Sequence, residues 1–122
     1  MTFKLSQRSL DRLKGVDERL VKVVKRAIEL TTVDFGVTEG LRNPERQKEL
    51  VSKGFSQTLK SKHLTGHAVD VAAFVDGKVT WEAMYYHEIA KAFKEAAKEL
   101  DINIRWGGDF KSFFDGPHFE LI

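Results

Sequence analysis

Four histidines occur in this chain. Three of them stand near carboxylates: His63 and His67 in Ser61-Lys62-His63-Leu64-Thr65-Gly66-His67-Ala68-Val69-Asp70, and His118 in Asp115-Gly116-Pro117-His118-Phe119-Glu120. Asp70 interrupts a hydrophobic run. Alternation along a strand puts it on the face of Ala68 and Ala72, small residues that leave room for a ligand. A carboxylate buried alone is costly, so Asp70 should be paired or bound to a metal. Two imidazoles and one carboxylate are a standard set of protein ligands for a catalytic zinc, which keeps its fourth position for water or substrate. His63, Asp70 and His118 fit that count. Zinc would supply what hydrolysis needs, a water of lowered pKa and a polarised carbonyl. A further carboxylate is then wanted as general base and later acid, and Asp115, three residues before His118, is placed for it. Glu120 follows His118 by two residues on the same strand face and is a candidate to fix a ligand imidazole.

Ser61-x-His63-x-x-Gly66-x-Ala68-x-Asp70 followed by Asp115-x-x-His118 resembles the zinc D-alanyl-D-alanine carboxypeptidase and L-alanyl-D-glutamate endopeptidase family. The match is to its small phage and prophage lysis enzymes, which carry Asp rather than Glu three residues before the last histidine ligand. Gly40-Leu41-Arg42, with Glu45 and Gln47, is similar to the family's Gly-x-Arg segment. The resemblance runs from about Val37 to Glu120. It implies a mononuclear zinc on His63, Asp70 and His118, Asp115 as catalytic acid/base, and Arg42 at the scissile carbonyl. It also implies Ser61 as a hydrogen-bonding residue near the metal and hydrolysis of a peptide bond in the peptidoglycan stem, L-alanyl-D-glutamate in the endolysin manner. A D,D-carboxypeptidase or dipeptidase of wall turnover and a non-catalytic wall-binding module are the alternatives. A non-haem iron oxygenase ranks low, because its ligands usually come as a close His-x-Asp pair whereas six residues separate His63 from Asp70.

Blander roles stand beside these. Asp115 could cap an Asx turn before Gly116-Pro117, and Arg42 could pair with Glu45 or with a carboxylate at a strand end. His67 is either an exposed neighbour or a substrate contact, and His87, on a helix, is read as a surface or satisfied core residue. Trp106, Phe110, Phe113 and Phe114 are expected to pack the core or wall the cleft, where they would exclude water. Gly107-Gly108 needs only a turn.

The elements that must position these residues are legible in outline. Ser6 caps a short helix stopped at Gly15, and Asp17 caps a longer one with Leu20, Val24, Ala27 and Ile28 on one stripe. Phe35 to Leu41 reads as a strand. Asn43-Pro44-Glu45 opens a third helix, closed by Gly54. Phe55 to Gly66 lacks periodicity and reads as a loop. Ala68 to Val75, the hairpin dipeptide Asp76-Gly77 and Lys78 to Thr80 form the clearest strand pair. Glu82 to Leu100 is the longest helix, with Tyr86, Ile89, Ala90, Phe93, Ala97 and Leu100 along one face. Strands are expected at Ile102 to Trp106 and at His118 to Ile122, around a Gly107-Gly108-Asp109 turn. The order predicts an α+β fold, a small mostly antiparallel sheet with flanking helices.

The composition fits one globular domain over residues 1–122: 13.9 kDa, 42% hydrophobic and 31% charged. Twenty Lys and Arg against eighteen Asp and Glu leave a charge of only +2, which gives no reason to expect a nucleic-acid partner. With no cysteine there is no disulfide, thiolate nucleophile or cysteine zinc site. The start lacks the apolar run of a secretory signal, and the most apolar stretch, Ala68 to Val75, is too short to span a bilayer. The expectation is therefore a monomer without membrane insertion. It would be made in the bacterial host cytoplasm and act at the wall once another protein lets it out.

Overall fold

In the computed structural model, which describes residues 2–54, 61–111 and 113–122, the first two helices start where their capping side chains dictate. Ser6 accepts a hydrogen bond from the Ser9 amide at the head of α1 (Gln7–Arg12), and Asp17 accepts one from the Arg19 amide at the head of α2 (Glu18–Leu30). The strand β1 (Asp34–Glu39) follows. Asn43 and Pro44 then open α3 (Pro44–Ser52), with the Asn43 side chain on the Arg46 amide.

Six residues of the stretch expected to be a loop, 55–60, lie outside the described residues; its second half is not a loop. Lys62–Thr65 form a 3-10 turn, capped by Ser61 on the His63 amide and stopped by Gly66 in the left-handed region. A single turn has no hydrophobic period to reveal it, which is why the sequence reads as irregular there.

The strand β2 (Ala68–Val75) turns at Asp76 and Gly77, both at positive φ, into β3 (Lys78–Thr80). The helix α4 (Ala83–Leu100) precedes β4 (Ile104–Trp106), a 3-10 turn at Gly107–Asp109 and β5 (His118–Leu121). Every strand pairing is antiparallel, in the order β1-β2-β5-β4 with β3 also on β2, so the architecture is α+β as expected.

The two faces of this sheet do different work. Val69, Val71, Ala73 and Phe119 point into the core shared with α2 and α4, where the Phe93 ring packs 3.8 Å from Phe119 and 5.3 Å from Phe35. The alternate residues point the other way. Register sets Glu39 opposite Asp70, Asp70 opposite His118, and Ala68 opposite Glu120. Leu100, expected on the buried face of α4, is 38% exposed, because the helix ends there and the chain turns away through Asp101.

Gly66 joins this sheet face to α2. Its carbonyl accepts the Asp17 amide at 2.8 Å, and a Cβ on it would lie 2.5 Å from the Gly15 carbonyl oxygen. Gly54 has a similar φ, +78° against +75°, but open space around it. Gly66→Ala is expected to lower the unfolding free energy by about 2–3 kcal/mol, combining backbone strain with a clash. Gly54→Ala should cost about 1 kcal/mol. Urea unfolding of both variants checks this; equal losses would show that the clash at Gly66 relaxes away.

Candidate metal centre and the acid beside it

Asp70 enters the site from the middle of β2, His118 from the first residue of β5 and His63 from the 3-10 turn capped by Ser61. One ligand atom of each lies within 4.8 Å of the others. Asp70 Oδ1 stands 3.2 Å from His63 Nε2 and 3.2 Å from His118 Nδ1. Asp70 Oδ2 faces the Arg42 guanidinium at 3.6 Å.

The far side of each imidazole is committed. His63 Nδ1 lies 2.8 Å from the Gly40 carbonyl oxygen, to which it can only donate. Its Nε2 therefore faces Asp70. That nitrogen is buried and makes no hydrogen bond of acceptable geometry. His118 Nε2 lies 2.8 Å from Glu120 Oε1, and Glu120 Oε2 is held 3.1 Å from Lys62 Nζ. His118 thus gives Nε2–H to Glu120 and turns Nδ1 inward. Two inward nitrogens and one carboxylate oxygen suit a small divalent cation with nitrogen and oxygen ligands, and a buried nitrogen without a hydrogen bond is what such an ion would satisfy.

Without the ion the cluster behaves as an ion pair. Burial works to raise the Asp70 pKa, but the hydrogen bond from His118 and the close approach of His63 outweigh it and hold the group well below the usual carboxylate range. Burial disfavours the His118 imidazolium, yet Asp70 and Glu120 push its pKa up to about 9. Asp115 goes the other way. Its carboxyl is raised, first by burial and then by the charge of Asp70, while His118, His63 and Arg42 act against the rise.

Asp115 owes its place to a backbone turn rather than to a side-chain cap. The Asp115 amide donates to the Gly107 carbonyl at 3.0 Å, and the His118 amide donates to the Asp115 carbonyl at 3.1 Å. Gly107 makes this possible: a Cβ there would overlap the Asp115 carbonyl and come within 3.0 Å of the Cβ atoms of both Asp115 and His118. The sequence had asked no more of Gly107 than a turn. Trp106 fixes the same segment by donating Nε1–H to the Gly116 carbonyl at 2.8 Å. Phe110 sets its ring 5.7 Å from His118, as a cleft wall should, whereas Phe113 and Phe114 are 41% and 51% exposed.

Arg42 is buried, and its guanidinium is engaged by Glu39, by the Gln47 side-chain oxygen at 2.7 Å and by Asp70. Of the two bland partners expected, the strand-end carboxylate is the one found, since Glu39 ends β1. Glu39 carried no flag in the sequence, although it stands directly across from Asp70 in the sheet register. Lys62 was missed as well, because its role depends on a carboxylate 58 positions away. His67 is not brought to the cluster; its ring lies 2.6 Å from the Thr65 hydroxyl and 3.6 Å from Asp17. His87 is exposed and rests edge-on against Trp106.

Comparison with known proteins shows the family of the chain. A crystal structure of the Serratia marcescens L-Ala D-Glu endopeptidase ChiX superposes with a TM-score of 0.94 at 49% identity, covering 99% of this chain and 91% of that one. The L-alanyl-D-glutamate peptidase of Escherichia phage T5 is 34% identical over the full length of both chains. The peptidoglycan L-alanyl-D-glutamate endopeptidase CwlK of Bacillus subtilis is 33% identical over 74% of this chain and 62% of its own length. The family model described as phage L-alanyl-D-glutamate peptidase matches residues 1–122, and the chain belongs to that family.

Proposed function

We propose that this protein is a zinc-dependent endopeptidase that hydrolyses the L-alanyl-D-glutamate bond of the peptidoglycan stem, as a phage-type wall-lysis enzyme. The observation that carries this reading is the convergence of His63, Asp70 and His118, with the outward nitrogen of each imidazole held by a hydrogen bond so that the other nitrogen faces Asp70. Membership of a family named for that bond supports the substrate. No described helix is long and apolar enough to cross a membrane.

A zinc ion on these three residues would lower the pKa of a water molecule and polarise the scissile carbonyl. The chain's own groups do the rest. Asp115, unlinked to any described side chain by a hydrogen bond and with its pKa raised by burial and by the charge of Asp70, takes the proton of the attacking water and returns it to the leaving amine. Its raised pKa makes it a stronger base when ionised. Arg42 holds the outer oxygen of Asp70, so that Asp70 presents its other oxygen to the centre. Substrate contact by Arg42 would need its guanidinium to share these partners. Phe110 shields the His118 side of the cleft from water, which strengthens electrostatics at the reacting carbonyl.

Mass spectrometry of digested sacculi tests the reading. Soluble peptides beginning at D-glutamate are expected, lost with chelator and regained with zinc; release of D-alanine alone would assign a carboxypeptidase. Asp115→Asn should keep zinc at full stoichiometry by elemental analysis while turnover falls by about 10²–10⁴-fold. Full activity in that variant would remove Asp115 from the mechanism. Glu120→Ala frees the His118 tautomer and should weaken zinc affinity by about 10–100-fold in a competition titration with a chromogenic chelator.

A further inference from the structure

A cavity of about 570 Å³ lies beside the metal cluster, lined by Arg105, Asp109, Phe110, Lys111, Phe113 and Glu120. It shares two walls with the cluster: Glu120, hydrogen-bonded to His118, and Phe110, whose ring packs near the same imidazole. Arg105 stands opposite Glu120 in the β4–β5 register, and so on the sheet face that carries His118. The two rows are two residues apart along β5, about 7 Å, which a dipeptide spans.

The charges around this cavity are not balanced among themselves. Glu120 is taken by His118 and Lys62, and Asp109 by Lys94 at 2.8 Å. Arg105 and Lys111 make neither a hydrogen bond nor an ion pair with any described residue. Two cations without partners among the described residues therefore face a cleft whose acids, Glu120 and Asp109, are already engaged. Phe110 and Phe113 line the same cavity, so a ligand entering it meets apolar as well as cationic surface.

The substrate assigned above brings such an anion. Glutamate has two carboxyl groups, and only one can continue the peptide. The other stays a carboxylate, on the leaving side of the scissile bond and a few bonds from the leaving nitrogen. We infer that Arg105, assisted by Lys111, binds this free carboxylate and makes the enzyme select glutamate over its amidated form at that position. The planar guanidinium suits a carboxylate through paired hydrogen bonds, which a carboxamide cannot match because one of its two positions is a donor. This inference rests on the peptidase reading.

The test uses two synthetic stem peptides that differ only in that group, carboxylate in one and carboxamide in the other. The wild-type protein with zinc is expected to cleave the carboxylate peptide with kcat/KM about tenfold or more above the amide. Arg105→Ala should lose most of that preference, with Arg105→Lys retaining part of it, and the preference should shrink as salt is raised. Unfolding midpoints of both variants should match the wild type, since Arg105 is exposed and has no described partner. Equal cleavage of both peptides by the wild type, or an equal fall on both in Arg105→Ala, overturns the inference while leaving the peptidase intact. Cleavage of neither peptide overturns the peptidase reading and this one with it.

Discussion

A single carboxylate set into the middle of a sheet is the constraint around which the site is arranged. Asp70 stands in a strand whose neighbours on both sides are buried aliphatics, and a charge in that position has to be neutralised locally. The surrounding elements do so. Two imidazoles lie 3.2 Å from one oxygen and a guanidinium 3.6 Å from the other. Each of those partners is itself held: His63 by the Gly40 carbonyl, His118 by Glu120 and Lys62, Arg42 by Glu39 and Gln47. The result is a chain of oriented groups extending outward from Asp70, and each outer link fixes the direction of the one inside it.

This network also separates two neighbouring carboxylates, Asp70 and Asp115. Asp70 is surrounded by donors and stays ionised. Asp115 sits where burial and the charge of Asp70 both favour its protonated form. Two aspartates near one centre are thereby given opposite tendencies, one toward the ionised form and one toward the protonated form. The backbone turn that delivers Asp115 depends on the missing side chain of Gly107, so a residue without chemistry of its own sets the distance between the acid and His118.

The hydrophobic side of the sheet is coupled to the polar side by register alone. Val69, Val71 and Phe119 pack under α4, and that packing fixes which residues of β2 and β5 face outward. A slip by one residue would bury Asp70 and expose Val71. Phe93 stacked on Phe119 is thus part of what keeps His118 opposite Asp70, although both rings lie in the core on the other side of the sheet.

Much of this was decided by sequence. Alternation in Ala68-Val-Asp-Val-Ala placed Asp70 beside two small residues, the two-residue offset put Glu120 on the face of His118, and the caps at Ser6, Asp17 and Asn43 set their helices. These are short-range matters, governed by the period of a strand and by the unsatisfied amides of a helix end. The motif spacing named the family and with it the residues worth watching. What only the tertiary structure decided is who meets whom across long separations. Arg42 is held by the carboxylate across the strand from Asp70 rather than left free, His67 is turned toward α2, and Arg105 and Lys111 are left without partners among the described residues beside the cleft. A long cationic side chain can reach any of several acids. Which one it reaches depends on sheet register and on the packing of elements far apart in the chain, and no local pattern carries that information.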